Sequence, residues 1–337
     1  MFDVIAIGST TQDHFLKANY KLIDWPETPL KKAIVLPFGE KLSIDTAYVT
    51  IGGNAVNASV TFARQGFKTA AVAKLGNDSS AEDIKNRLKK EGVNTKQIAH
   101  SQEKPTAFSV LLLKDGERTI LGYHGASDTL MLEDLNLKKL KAKWWYVSLA
   151  GESDKIYLDL IKFAKENGIK VAFNPSGHHL AHKRQEIADS LKDLSFVVMN
   201  EGEAATLTGV SFENPEAVFK KLDEWTPGIA AITNGDLGVT VSDGKNMYRA
   251  GIFKEQKLVD RTGAGDAFGS GFVAGLLHQR STSNIEPPTV EAIKYAIRLA
   301  TANAASVVEH IGATEGTLTK QQFETDPRWQ NLAIEIK

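Results

Sequence analysis

A glycine-rich stretch late in the chain combines a carboxylate with an anion-binding backbone. It reads Asp260-Arg-Thr-Gly-Ala-Gly-Asp266 and leads into an apolar run of small residues, which predicts a helix. Gly263, Ala264 and Gly265 would present backbone N–H groups at the positive end of that helix, where an anion binds well. Asp266 then lies at the mouth of an anion site, either as a helix cap or as a base for a hydroxyl that attacks a phosphate. No Gly-Lys-Ser/Thr follows the glycines, so this is not a Walker A loop.

A second pair of glycines opens another predicted helix. Gly52 and Gly53 are followed by Asn54 and Asn57, which fall on the first helical turn. Amide side chains hydrogen-bond neutral hydroxyls, as recognition of a polyol requires. The alternative interpretation of these residues is a turn with an Asn helix cap.

Strand-like and helical patterns alternate along most of the chain and would position these residues. The predicted strands are Phe2–Ile7, Lys68–Leu75, Trp144–Leu149, Val171–Asn174, Phe196–Asn200 and Ala230–Asn234, and the predicted helices include Ala55–Gln65, Ala81–Glu91 and Lys155–Asn167. This alternation predicts an α/β fold, with a central, mainly parallel sheet and helices on both faces. Ligands of such sheets bind at the carboxyl ends of the strands.

Two stretches break the alternation and predict a small β-sheet lid. Ala33–Thr50 is extended without a helical period, and Thr106–Tyr123 has the pattern of a hairpin. We expect a single α/β domain over residues 1–337, with insertions at about 14–51 and 104–124 forming the lid. Exposed lid strands need covering, which predicts a homodimer through the lid.

Two Asp-Gly pairs mark the turns of predicted hairpins. Asp115-Gly116 is the turn of the lid hairpin, and Asp243-Gly244 is the turn of a hairpin over Val239–Tyr248. The chain from Thr262 to His310 is mostly helical in pattern, with a polar loop at Arg280–Pro288.

Composition excludes several classes of function. The 337 residues are 42% hydrophobic and 24% charged, as in an ordinary globular chain. Lys plus Arg number 40 and Asp plus Glu number 41, so the charge offers no global attraction to nucleic acid or to an anionic membrane. No cysteine is present, which excludes disulfides and thiolate metal sites and suits a reducing compartment. No apolar run approaches the ~18 residues of a membrane helix, so we expect a cytoplasmic protein without nucleic-acid or membrane partners.

Together, the two glycine-rich stretches resemble the signature regions of the ribokinase-like (PfkB-type) carbohydrate kinase family. The matching residues are Gly52, Gly53, Asn57, Gly66 and Gly76 for the first signature, and Gly263, Ala264, Gly265, Asp266, Ser270 and Gly271 for the second. Two long signatures about 200 residues apart, in the right order, are far more specific than either alone.

The resemblance implies a ribokinase-like fold and ATP-dependent phosphorylation of a hydroxymethyl group on a sugar. Asp266 would be the catalytic base, and the backbone of residues 263–265 would form the anion hole. ATP and Mg²⁺ are the implied cofactors. Ribose is the first choice of substrate, because Gly8-Ser-x-x-x-Asp13-His and Gly52-Gly-x-x-x-Asn57 look ribokinase-like.

The resemblance also assigns binding residues. The residues implied for the sugar are Asp13, Gly52, Gly53 and Asn57. Those implied for the nucleotide are Asn200, Thr233, Gly235, Gly238 and Asn303. Glu203 would bind magnesium through a retained water.

The resemblance also implies a monovalent-cation site, such as one for K⁺, at Asp260 and Thr262. Arg261 departs from the family, which usually has a small residue there. A guanidinium beside Asp260 could supply the positive charge internally.

Other functions remain open at this point. The long N-terminal insertion favours an adenosine-type nucleoside kinase of the same fold, and fructose or ketodeoxygluconate are alternative sugars. A non-catalytic sugar- or nucleotide-binding regulator is an alternative of another class, against which the intact run 263–266 speaks. A dinucleotide-binding oxidoreductase is disfavoured, because the first strand ends in Gly8 without a Gly-x-Gly-x-x-Gly pattern.

Overall fold

The computed structural model of the protein describes residues 1–28, 30–115, 117–279 and 288–337. Gly116 of the predicted turn and residues 280–287 of the predicted polar loop lie outside the described residues. The strands are β1 (Phe2–Gly8), β2 (Thr11–Lys17), β3 (Lys21–Asp24), β4 (Lys32–Val35), β5 (Thr46–Gly52), β6 (Thr69–Val72), β7 (Lys74–Leu75), β8 (Ala99–His100), β9 (Phe108–Lys114), β10 (Glu117–Tyr123), β11 (Ala142–Ser148), β12 (Lys170–Phe173), β13 (Phe196–Asn200), β14 (Ile229–Thr233), β15 (Val239–Ser242), β16 (Met247–Ala250) and β17 (Ile334–Ile336).

The α-helices are α1 (Asn54–Arg64), α2 (Ser79–Lys90), α3 (Tyr157–Glu166), α4 (Gly177–Ser190), α5 (Glu201–Thr208), α6 (Pro215–Trp225), α7 (Ala264–His278), α8 (Val290–Val307) and α9 (Lys320–Thr325). Every predicted helix is present within a few residues of its expected bounds. Across the described ranges, no helix has both the length and the apolar composition needed to cross a bilayer.

Nine strands form the central sheet in the order β17-β16-β15-β14-β13-β12-β11-β1-β6. The six strands from β14 to β6 in that order are parallel, and β15, β16 and β17 join antiparallel. Val4 and Ala6 of β1 pack on the side of α1, α7 and α8, whereas Ile5 and Ile7 pack on the side of α3. Because both faces are covered, β1 is apolar at consecutive positions, as is typical of parallel sheets. The predicted α/β fold is confirmed.

The small second sheet differs in part from the prediction. It has four strands in the order β10-β9-β2-β5, with β2 parallel to β9 and antiparallel to β5. β2, which begins three residues before the predicted insertion at about 14–51, lies at its centre. β4 pairs with β3 in a separate hairpin, so of the predicted lid stretch Ala33–Thr50 only the β5 part shares one sheet with Thr106–Tyr123. Pro37 and Gly39 follow β4, in a stretch without strand structure.

The strand predicted over Lys68–Leu75 is also divided. β6 lies at the edge of the central sheet, whereas β7 pairs with β8 in a separate two-stranded sheet. At β7 the Lys74 ammonium donates to the Thr129 carbonyl (3.0 Å) and to Asp134 Oδ2 (2.8 Å). The hairpin predicted over Val239–Tyr248 is confirmed as β15 and β16.

Candidate active site

The two glycine-rich stretches meet where α1 and α7 begin. Asn57 Nδ2 donates a hydrogen bond of 2.9 Å to Asp266 Oδ2, although the two residues are 209 positions apart. Both helices start near the carboxyl ends of the parallel strands, and ligands of such sheets bind at that edge. The structure therefore joins the predicted base and the predicted sugar-binding amide into one site.

Asp266 has an unusual acid–base environment. Burial raises the pKa of its carboxyl group to about 6, and the hydrogen bond from Asn57 opposes that rise. The Oδ1 atom of Asn57 is buried and accepts no hydrogen bond from the described residues. A carboxyl group with a pKa near neutrality is suited to accept a proton from a hydroxyl.

The start of α7 requires glycine. Gly263 is the N-cap with φ +78°, and a Cβ on it would lie 2.3 Å from the Ala313 Cβ. Ala264 and Gly265 form the first turn of α7, where backbone N–H groups lack partners within the helix and can bind an anion; the Ala264 N–H makes a long hydrogen bond of 3.4 Å to the Arg261 carbonyl. The predicted anion-hole residues thus occupy the N-terminus of a 15-residue helix beside Asp266.

Asp13 lies on the lid sheet and is buried. Its Oδ1 atom accepts a hydrogen bond of 2.7 Å from the Thr11 hydroxyl. Burial raises its pKa, while hydrogen bonds from Thr11 and Ser109 lower it. A Cβ on Gly52 would lie 2.0 Å from Asp13 Oδ2, so only glycine leaves room for this carboxylate. Gly53 is the N-cap of α1.

Glu203 and Asn200 form a capping box at the start of α5. The Glu203 backbone N–H donates to Asn200 Oδ1 and the Asn200 backbone N–H donates to Glu203 Oε2, both at 2.9 Å. Burial raises the pKa of Glu203, and the negative charge of Asp266 raises it further. A carboxyl group whose negative charge is disfavoured by burial and by a neighbouring carboxylate fits a magnesium ion that also binds waters and substrate phosphates.

A cavity of about 320 Å³ opens beside the start of α7. It brings the predicted nucleotide residues Thr233, Gly235 and Gly238 together with Ala264 and Gly265. Its remaining lining residues are Asp236, Val239, Ile252, Phe253, Glu255, Leu258, Arg261, Phe268, Thr301, Ala304, Ala305 and Val308. The apolar part of this lining suits a flat ring system, and the α7 end suits an anion.

Comparison with known proteins identifies the family. The model of the pfkB family of carbohydrate kinases matches residues 20–320. The chain belongs to this family. A ribokinase of Haemophilus influenzae is 30% identical over 300 residues, which cover 84% of this chain and 89% of the relative. A probable fructokinase-5 of Arabidopsis thaliana is 27% identical over 272 residues, 77% of this chain and 83% of the relative.

A solved structure shares the fold of this carbohydrate kinase. It is the Arabidopsis thaliana ribokinase complexed with ribose and ATP, with a TM-score of 0.76 and 21% identity over 98% of this chain and 99% of the other. Membership of the pfkB family makes the chain a phosphotransferase with an alcohol group as acceptor, and the solved structure shows that its fold is ribokinase-like. Ribokinases and fructokinases both occur among the relatives of this kinase.

Asn303 does not line the cavity of the kinase. Its side chain is buried between α7 and α8, where Nδ2 donates to the Ala267 carbonyl (2.9 Å) and Oδ1 accepts from the Leu318 backbone N–H (2.9 Å). The amide is thus committed to bonds inside the protein. The prediction that Asn303 contacts the nucleotide is corrected: from α8, Thr301, Ala304 and Ala305 line the cavity instead.

The predicted cation-site residues of the kinase form a closed cluster. Asp260 Oδ1 accepts from the Thr262 backbone N–H (3.0 Å) and hydroxyl (2.7 Å), and Oδ2 accepts from the Gly312 backbone N–H (3.3 Å). The guanidinium in contact with Asp260 is that of Arg118, with Nε 3.7 Å from Oδ1. Arg261, which the sequence suggested for that place, is exposed and lines the cavity.

Arg118 and Ser109 are site residues that sequence reasoning missed. Between β2 and β9 of the lid, Asp13 is opposite Ser109 and Phe15 is opposite Leu111. Between β9 and β10, Leu111 is opposite Ile120. Residues directly opposite each other share a face, so Arg118, two positions from Ile120, lies on the same face as Asp13. Alternation within each strand was readable in the sequence, but the pairing of β2 with β9 was not.

Proposed function

We propose that this kinase transfers the γ-phosphoryl group of ATP to the hydroxymethyl group of ribose. The observation that carries the proposal is the contact between Asn57 and Asp266, which unites the two signature regions at the start of α7. The similarity to the ribokinase of Haemophilus influenzae supports ribose, and the solved Arabidopsis relative was complexed with ribose and ATP. Fructose remains the alternative that the fructokinase relative supports.

The proposed reaction relies on Asp266 as base. A sugar bound to Asp13 and Asn57 would place its hydroxymethyl oxygen beside the Asp266 carboxylate. That carboxylate takes the proton as the oxygen attacks the γ-phosphorus, while the bond from the γ-phosphorus to the bridging oxygen breaks and ADP leaves. The backbone N–H groups of Ala264 and Gly265 stabilise the charge that develops on the transferring group. The lid excludes water, which would otherwise accept the phosphoryl group.

The nucleotide would occupy the 320 Å³ cavity. Its ring system packs against the apolar lining, such as Ile252 and Val308, and its phosphates point towards Gly265. Glu203, whose carboxylate Asn200 orients, would hold magnesium through water, and the bound ion would supply positive charge to the nucleotide phosphates. Thr233, Gly235 and Gly238 shape the cavity wall.

Substrate specificity is tested by measuring ATP consumption with ribose, fructose, adenosine, inosine and ketodeoxygluconate. We expect the highest kcat/KM with ribose. A higher value with adenosine would establish a nucleoside kinase, and a higher value with fructose a fructokinase. Sugar binding without any ATP consumption would instead establish the non-catalytic regulator.

The pH dependence of kcat/KM tests the role of Asn57. Because the base must be ionised and the pKa of Asp266 is about 6, activity should decline as the pH falls through 6. Asn57→Ala removes a donor that favours the carboxylate, so the declining limb should move to higher pH. Asn54→Ala is the matched control on the same helical turn, since Asn54 donates to Ser148 instead. An unmoved limb in Asn57→Ala would contradict this role.

We also propose that the kinase dimerises through the outer face of the lid. Val49 and Leu121 are 58% and 53% exposed. Through the register Val49–His14–Val110–Leu121 they share the face opposite to that of Asp13. Exposed apolar side chains on an open sheet are typical of an interaction surface. A two-fold dimer would bury this surface on both copies of the chain.

Analytical ultracentrifugation tests the dimer. We expect a dimer for the wild type and a monomer for the double variant Val49→Glu/Leu121→Glu, because burying two carboxylates opposes association. Leu158→Glu, which changes an exposed leucine of α3 outside the lid, should leave the dimer intact. A wild type that is monomeric at every concentration would exclude the lid interface.

The proposed cellular location of the kinase rests on its amino-acid composition. The chain has no cysteine and a net charge of −1. These properties suit a reducing compartment and give no global attraction to nucleic acid or anionic lipid. We propose a cytoplasmic location, which fractionation of the source cells with an antibody to this chain tests.

A further inference from the structure

An arginine of the lid reaches the loop that leads into α7. Arg118 lies on β10, and its Nε atom is 3.7 Å from Asp260 Oδ1. That Nε atom is buried and forms no hydrogen bond with the described residues, so the carboxylate is its charged neighbour. Arg118 is on the lid face that also carries Asp13. The lid therefore supplies one residue to the proposed sugar site and a second residue to the loop of the anion hole.

Asp260 is the residue that holds this loop in place. Its side chain is fully buried, and it accepts hydrogen bonds from Thr262 on one oxygen and from Gly312 on the other. Thr262 directly precedes Gly263, the N-cap of α7. The Asp260 carboxylate thus anchors the residue that directly precedes the anion-binding N–H groups.

A buried carboxylate is costly unless a positive charge compensates it. Arg118 provides that charge, and backbone and hydroxyl donors occupy both carboxylate oxygens. A mobile cation brought to the same carboxylate would be repelled by the fixed guanidinium. The residues around Asp260 consequently do not fit the monovalent-cation site that the family resemblance suggested.

We propose that Arg118 is a positioning residue that neutralises Asp260 from the lid and orients the anion-hole loop without a monovalent cation. This inference rests on the proposed kinase function. The ion pair between Arg118 and Asp260 links the lid to the loop that precedes α7. Substitution of Arg118 should therefore impair phosphoryl transfer although the residue lies outside the α7 signature.

The experiment compares wild type, Arg118→Gln, Arg118→Lys and Lys114→Gln in KCl and in tetramethylammonium chloride at equal ionic strength. Lys114 is the matched control, because it lies on the same hairpin but on the opposite lid face and donates to Asn19. Steady-state kcat and KM with ribose are one readout. The melting temperature in each salt, without substrates, is the second readout and does not depend on activity.

For the wild type we expect the same kcat and the same melting temperature in both salts. Arg118→Gln should lose about 10–100-fold in kcat in tetramethylammonium, the usual effect of losing a charged interaction, with a smaller change in the KM for ribose. KCl should restore part of that loss and raise the melting temperature of this variant, since the uncompensated Asp260 can then attract the cation. Arg118→Lys should retain most activity in either salt, and Lys114→Gln should behave as wild type.

Several outcomes would overturn the inference. Strong potassium activation of an active wild type, or its stabilisation by KCl alone, would show that a cation fills this site, while the proposed function would stand. An unchanged kcat in Arg118→Gln would show that the ion pair has no positioning role. If Arg118→Gln does not fold, the comparison of the wild type in the two salts still tests whether a cation binds at Asp260, and Arg118→Lys still tests whether a positive charge at position 118 is sufficient. A wild type that transfers no phosphoryl group to any sugar would refute the proposed function instead, and the melting comparison would still test the cation.

Discussion

Asp266→Asn should lower kcat by about 10²–10⁴-fold with the best substrate, because it removes the general base but keeps the size of the side chain. A primary hydroxyl is a poor nucleophile while it is protonated. The carboxylate beside it must orient it and accept its proton as the bond to phosphorus forms. The pKa of Asp266, about 6, leaves it ionised at neutral pH yet basic enough to take that proton.

Two comparisons make this prediction specific. ADP binding, measured by calorimetry, should be nearly unchanged in Asp266→Asn, because the nucleotide cavity is lined by other residues. Glu291→Gln is the matched control, since Glu291 is also in the first turn of a long helix, α8, but is 78% exposed. If Asp266→Asn kept near wild-type kcat, Asp266 would be a helix cap and the proposed mechanism would be wrong.

Asp13→Asn should reduce kcat/KM for ribose by about 10²–10⁴-fold, the combined effect of two hydrogen bonds to a charged acceptor. A carboxylate can accept from two sugar hydroxyls at once, whereas an amide offers a single oxygen. We expect the change mainly in the KM for ribose. The affinity for ADP should be preserved, because Asp13 lies on the lid sheet and not in the nucleotide cavity.

The neighbourhood of Asp13 supplies a second variant and a control. Gly52→Ala should cause a similar loss, because its Cβ would lie 2.0 Å from Asp13 Oδ2 and displace that carboxylate. Asp24→Asn changes a carboxylate that is 90% exposed on β3 and should have no effect. If Asp13→Asn lowered the melting temperature but left the KM for ribose unchanged, Asp13 would be a structural residue of the lid and not a sugar ligand.

The sequence by itself predicted the six parallel strands of the central sheet and the two helix starts, but not the antiparallel β17. β1 contains the apolar run Val4–Ile7 directly before Gly8, and α2 has apolar residues at helical spacing. The two glycine-rich stretches were also recognisable from neighbouring residues alone, because their glycines, small residues and Asp266 lie within single turns. These signals act over a few residues, so they can be read without knowledge of the partners.

Only the tertiary structure decided which distant groups meet. The contact between Asn57 and Asp266, the ion pair between Arg118 and Asp260, and the internal bonds of Asn303 all join residues far apart in the chain. Each contact depends on how strands and helices are paired, since a shift of one residue in a strand turns every side chain to the opposite face. Periodicity places Arg118 on one of two faces, but the pairing of β10 with β9 and of β9 with β2 is what directs it towards Asp260.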